Sequence, residues 1–343
     1  RDSSTSRGLG DVYKRQKLFL IIASMLCMAS CDTIREDLPR CELWLEFAFD
    51  YNMEYADAFN PQVKSVDVFV FGSDDKLLFS KRAEATALIG GNRMSLTNEL
   101  DFGNYKVLTV GSLSDNFHAL DNAGRELVPG TTTLRQLTVA LKRASDIVDF
   151  EFQHLYFSGV VEVDHLPSNT DHKVYRVNLI RNTNRFNIAL MKYGEGQKNG
   201  TQYTFEIQAP ESATYSWENE PTHQGPVHYV PHYTGQGETS DVFVSARLNT
   251  MRLFNRDGWD YQFIIKNADT GTKIWSYDLM KLLSIARPTS RHDGTELPFQ
   301  EYLDRQSEWN LIFTVTEKSG GGEFIQIGLV VGTWIYWLHG IEI

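Results

Sequence analysis

The chain has 343 residues, 42% hydrophobic and 22% charged, with a formal net charge of −11. That composition excludes a disordered chain and leaves room for two domains with sizeable cores. The acidic excess, with no Lys/Arg run interleaved with aromatics, works against a nucleic-acid partner, because phosphate backbones repel it.

Residues 1–13 lack an initiating Met and the form of a signal, and are read as a non-native leader. Lys14, Arg15 and Lys17 then precede twelve mostly apolar residues, 18–29. A spanning helix needs ~20. A basic cluster, a short apolar run and small Ala29 and Ser30 instead mark an export signal cut between Ser30 and Cys31. A buried helix at the start of the domain would not need that boundary. The stretch resembles the lipobox of bacterial lipoproteins, with Met28 where Leu is commoner. The resemblance implies acyl chains on Cys31, each buried CH₂ adding ~0.8 kcal/mol of membrane affinity. Removing residues 1–30 leaves 28 basic and 42 acidic groups, a net charge of −14.

The three cysteines, Cys27, Cys31 and Cys41, all lie in the first 41 residues and form no CxxC. Zinc ribbons, thioredoxin-like chemistry and a disulfide framework are therefore not expected. Arg35-Glu36-Asp37 after the cysteine resembles the surface-export signal of Bacteroidetes lipoproteins, and reads equally well as a solvated linker. The tether of residues 31–41 reaches at most ~40 Å from the lipid to the first strand.

From Glu42 on, the dominant period is two. "ELWLEFAF" places Leu43, Leu45, Phe47 and Phe49 on one face. "SVDVFVFGSDDKLLF" reads as strand, turn, strand, reversing at Gly72-Ser73-Asp74-Asp75. "ELDFGNYKVLTVGS" is a strand after a Gly103-Asn104 turn, and "DIVDFEFQHLYFSGVVEV" adds one or two more. Strands at this spacing argue for an antiparallel sandwich over residues 42–163. Polar "DHLPSNTDH" is the expected boundary. Period two then resumes over residues 172–343, a second sandwich. "VYRVNLIRNTNRFNIALM" is two strands or one bent strand, and turns fall at residues 267–272 and 319–322. Residues 209–238, rich in Pro, Gly, His and Tyr, read as a long loop. Two helical pieces are expected, at residues 277–286 and 299–305.

Little in the chain points to chemistry. HExxH, GxSxG and P-loop patterns do not occur, and "GGGEFIQIG" lies between strands rather than opening a helix. His223, His228 and His232 are irregularly spaced, with prolines between them, and read as a surface loop rather than a metal site. Asp257 and Asp260 read as a tight turn beside a strand, and Cys41 has no basic partner in sequence. No catalytic residue, metal or cofactor is expected. The protein is read as structural, not as an enzyme.

Four stretches carry a closer resemblance: "CDTIREDLPRCELWLEFAFDYNMEYADAFNPQVKSVDVFVF", "LIRNTNRFNIAL", "LNTMRLF" and "FQEYLDRQSEWNLIFTV". They resemble the FimB/Mfa-type fimbrial anchor subunits of Bacteroidales, in order along the chain. The resemblance implies an all-β fold of two tandem transthyretin-like sandwiches and an outer-membrane lipoprotein. Such a protein holds a fimbria to the cell and limits its length, and its partner is a stalk subunit joined by strand donation. In stalk subunits an arginine-specific protease removes the first strand and opens a groove. An anchor retains that strand, here Leu43, Leu45, Phe47 and Phe49, so Arg40 is expected to stay uncut. The donor candidate is the tail, Trp334, Ile335, Tyr336, Trp337 and Leu338, which reads equally well as the last strand of its own sandwich. The alternative function is a surface-exposed binding module or adhesin for carbohydrate or host protein, for which Trp217, Tyr229 and Tyr233 would have to form an exposed aromatic platform.

Overall fold

The computed structural model describes residues 42–165, 172–193, 202–210, 213–222, 225–236, 241–289, 294–317 and 323–338. In chain order its strands are β1 (Glu42–Ala48), β2 (Ser65–Phe71), β3 (Leu77–Glu84), β4 (Arg93–Ser95), β5 (Gly103–Gly111), β6 (Phe117–Asp121), β7 (Leu137–Leu141), β8 (Ile147–Val148), β9 (Tyr156–Ser158), β10 (Val161–His165), β11 (His172–Arg181), β12 (Thr183–Lys192), β13 (Tyr203–Ala209), β14 (Thr214–Ser216), β15 (Val227–Tyr229), β16 (Tyr233–Gln236), β17 (Val242–Met251), β18 (Gln262–Asn267), β19 (Lys273–Asp278), β20 (Glu308–Glu317), β21 (Phe324–Val331) and β22 (Trp334–Trp337). The helices are α1 (Phe59–Gln62), α2 (Leu279–Ser284) and α3 (Phe299–Arg305). The fold is all-β, as expected. The helix expected over residues 277–286 contracts to α2, because Asp278 caps it by accepting from the Lys281 amide at 3.1 Å.

Alternation built these strands. In β1, Leu43, Leu45 and Phe47 are fully buried, while Glu42, Trp44 and Glu46 are partly exposed. β2 is apolar on both faces. Val66, Val68 and Val70 join one core, and Phe69 and Phe71 join another. The β2–β3 reversal falls where expected, with Asp75 at φ 63° and the Gly72 amide bonded to Lys76 O.

The first sheet runs β3-β2-β5-β9-β11-β1-β4, with β10 on β5. The second half holds a six-stranded sheet, β16-β17-β12-β20-β21-β22, and a five-stranded sheet, β19-β18-β13-β15-β8. Phe263 of β18 stacks on Phe313 of β20 at 5.0 Å, joining those two layers. A small sheet, β14-β7-β6, completes the set.

Three expectations are corrected, and one sheet crosses the expected domain boundary. The pairing is mostly but not purely antiparallel, since β1–β11, β12–β20 and β15–β8 run parallel. A parallel pair needs a long crossover, so neighbouring strands in sequence give no hint of it. The expected boundary is residues 164–171. β11 lies beyond it yet pairs with β1 in the first sheet, and the chain changes sheet at Asn182. The halves also exchange elements, β8 joining β15 and β14 joining β7. Residues 209–238 contain the short strands β14, β15 and β16 rather than one loop. Gly103 and Asn104 begin β5 and are not a turn before it.

Candidate assembly interface

Two elements bear on assembly, the first strand and the tail. β1 lies between β11 and β4, paired with both. Leu43, Leu45, Phe47 and Phe49 are all fully buried. Phe47 stacks on Phe59 of α1 at 5.8 Å, and Phe49 meets Tyr156 edge-on at 5.0 Å. β1 is thus an interior strand of the first core.

The tail forms β22, which pairs antiparallel with β21 and ends the order of its sheet. The hairpin joining them has two loop residues, with Gly332 at φ 62°, as a type II′ turn requires. A Cβ on Gly328 would lie 2.6 Å from Ile335 Cγ2, so glycine there lets the tail lie close against β21. Trp334 is 73% exposed, and Ile335 and Tyr336 are also open to solvent. Trp337 meets Tyr193 edge-on at 5.1 Å. Leu338 is buried, and its amide bonds to Ile327 O at 3.0 Å. The tail is therefore tethered at Leu338 and presents an apolar face at a sheet edge, a template for strand pairing.

The four stretches that carry the resemblance meet at one junction. Arg305 of α3 lies between the rings of Tyr51 and Tyr55, at 4.1 and 4.4 Å, and donates to Asn52 O at 3.2 Å. Burial pushes the Tyr51 hydroxyl up, helped by Asp304 and Glu301 and opposed by Arg305. Asn52 holds its own turn by donating to Phe49 O and Ala56 O. Arg252, from "LNTMRLF", grips Asp304 through two bonds, at 2.7 and 2.9 Å. Burial works against the Arg252 charge, but the bonds to Asp304 outweigh it and raise its pKa. Trp309 donates to Asn184 Oδ1 at 3.0 Å, and Asn184 donates to Met251 O at 2.9 Å. Sequence reading picked out these stretches separately and missed that they form one joint.

The other candidate residues do not converge. Tyr229 is buried, Trp217 packs partly buried against the core, and Tyr233 is exposed beneath Arg247 at 5.0 Å. The aromatic platform of the alternative reading is thus not assembled. His228 Nδ1 lies 2.7 Å from Glu206, a buried carboxylate. Burial alone would raise the Glu206 pKa, but Lys266 and His228 hold it below its ordinary value. His223 lies outside the described residues, and His232 is separate, its amide bonded to Arg247 O. No group of three metal-ligating side chains forms among the described residues. Asp257 sits in a turn at Gly258, φ 78°, and Asp260 accepts from Gln262. Ser30, Cys31, Arg40 and Cys41 lie outside the described residues. No helix among the described residues is long and apolar enough to cross a membrane.

The fold is all-β, and β22 lies exposed at the edge of its sheet. Residues 38–340 match the family of fimbrillin-A associated anchor proteins Mfa1 and Mfa2. The chain belongs to that family, which is structural rather than enzymatic and works at the cell surface. A crystal structure of a proposed adhesin from Bacteroides ovatus is similar at 76% identity and TM-score 0.85, over 91% of this chain and 100% of that one. A proposed polysaccharide-binding protein from Bacteroides thetaiotaomicron is 28% identical, at TM-score 0.71, over 87% and 98% of the two chains. The fimbrial anchor protein Mfa2 from Porphyromonas gingivalis shares the fold at TM-score 0.62 and 16% identity, over 87% and 99%. No curated protein sequence matches.

Proposed function

We propose that this chain anchors a fimbria at the outer membrane through acyl chains on Cys31 and ends or limits the growth of the fiber. Its partner is a fimbrial stalk subunit, joined by strand complementation in which β22 is the candidate donor. The observation that carries the reading is the contrast between the two strands. β1 is interior and paired on both sides, whereas β22 sits at a sheet edge with Trp334, Ile335 and Tyr336 exposed. With β1 retained between β11 and β4, another subunit's strand cannot take that place in the sheet, so polymerisation stops there. An exposed edge strand can pair with another chain through main-chain bonds, with alternating side chains giving selectivity. A cut at Arg40 would leave β1 in place and sever the fold from its lipid. The names of two similar structures, an adhesin and a polysaccharide-binding protein, favour a second reading as a surface binding module.

The test is Cys31→Ala in the native host, together with the mature N-terminus on wild-type cells. The expected result is shed, over-long fibers from the variant and a wild-type chain that begins at Cys31. Fibers that stay attached at normal length, or a wild-type chain that begins at Cys41, would overturn the reading.

A further inference from the structure

A cleft of about 840 Å³ opens where the first sheet meets the second half of the chain. Its walls are α1, the segment at residues 151–154, the β11–β12 junction and the segment at residues 305–308. Arg181, at the end of β11, lines it and is only 7% exposed. One terminal nitrogen donates to Ser307 Oγ and the other to Gln62 Oε1, the latter at 2.7 Å. Its carbon lies 5.0 Å from the Phe49 ring and 5.8 Å from that of Tyr156. No carboxylate lies within ion-pair distance of Arg181 among the described residues, and its buried Nε has no acceptor. Arg185, on the same wall, also has a buried Nε without an acceptor, while its terminal nitrogen pairs with Glu308 at 3.7 Å. Glu308 also meets His154 at 3.3 Å, so its charge is shared between the two.

A guanidinium taken out of water needs a compensating anion, which neutral hydroxyl and amide acceptors replace only in part. Arg181 uses two of the five donors a guanidinium carries, in the fork that matches a carboxylate. The other cations on the wall are engaged, Lys64 with Pro61 O and Arg305 with Glu301. Gln62, Asn116 and Gln153 also line the cleft, beside the Glu54 and Glu151 carboxylates, and amides both donate to and accept from hydroxyl groups. The volume suits a small ligand. The walls are turns and strand ends rather than an open strand edge, which argues against a peptide added by strand pairing.

We propose that this cleft binds the carboxylate of a small, hydroxyl-rich ligand, a uronic acid or a short saccharide that carries one, with Arg181 and Arg185 as the anion receptors. This is independent of the anchoring reading and concerns a different surface.

The test is calorimetric titration of the full chain with glucuronate, glucose and acetate. Glucuronate is expected to bind saturably, with glucose and acetate each weaker by about tenfold or more. Arg181→Met keeps the apolar stem against Phe49 and Tyr156 and is expected to abolish binding, with the fold checked by its urea transition. Arg185→Gln, at a side chain 41% exposed, serves as a variant with little risk to folding and is expected to weaken binding severalfold. Absence of glucuronate binding, equal binding of glucose or acetate, or unchanged affinity in a folded Arg181→Met or in Arg185→Gln would overturn the proposal.

Discussion

Replacing Phe47 by Ala tests whether β1 is built into the fold or merely laid on it. Phe47 is fully buried, stacks on Phe59, and sits opposite Val177 of β11 in a parallel ladder seven residues long. Its backbone is pinned as well, the amide donating to Asn92 O at 2.9 Å and the carbonyl accepting from Asn92 Nδ2 at 3.1 Å. Those main-chain bonds survive the substitution, so the loss is the side chain alone. A buried Phe→Ala change costs ~3–5 kcal/mol through lost transfer energy and the cavity left behind. The stacked ring pair adds ~0.5–1.5 kcal/mol. About 4 kcal/mol is a large share of the ~5–15 kcal/mol that stabilises a folded protein. At a urea slope of ~3 kcal/mol/M the midpoint should fall by roughly 1.3 M with the slope unchanged. Trp44, partly exposed on the opposite face of the same strand, is the control, and Trp44→Ala should shift the midpoint far less. A midpoint for Phe47→Ala within about 0.3 M of wild type would refute the idea that β1 is integral to the first core.

The tail should behave in the opposite way. Trp334→Ala removes a side chain that is 73% exposed, so stability should change by less than ~0.5 kcal/mol, while pull-down of a stalk subunit should drop if β22 is the donor. Asp304→Ala strands a buried Arg252 guanidinium and should cost ~3–5 kcal/mol, measured by chemical denaturation. Burial pushes the Asp67 carboxyl up from 3.8 to about 6, against the pull of Arg82. The folded state then holds a proton that the unfolded state has released, so stability falls as pH rises from about 4 to 6. Asp67→Asn should therefore raise the melting temperature at pH 7.5 and leave it unchanged near pH 3. An equal gain at both pH values would contradict the linkage.

What could be read from sequence was what is local. The period of two located β1, β2, β3 and β12, and the 3.6-residue period located α2 and α3. Alternation says which face of a strand is buried but not which strand lies beside it. Hence β11, read as the start of the second half, turned out to pair with β1, more than a hundred residues away. In residues 209–238 the density of Pro, Gly and His outweighed the short apolar alternation of Val227 and Tyr229, which did carry the signal for β15. The junction around α3 followed the same logic. Each resembling stretch could be quoted from the sequence, but the enclosure of Arg305 by Tyr51 and Tyr55 joins residues some 250 positions apart. Arg181 was the least legible of all. An arginine closing "VYRVNLIR" reads as a solvated strand end, because charged side chains are rarely buried without a partner. Its burial arises only because β11 ends where the chain crosses from the first sheet to the second, and the packing of two halves around one strand end leaves a cation inside a cleft.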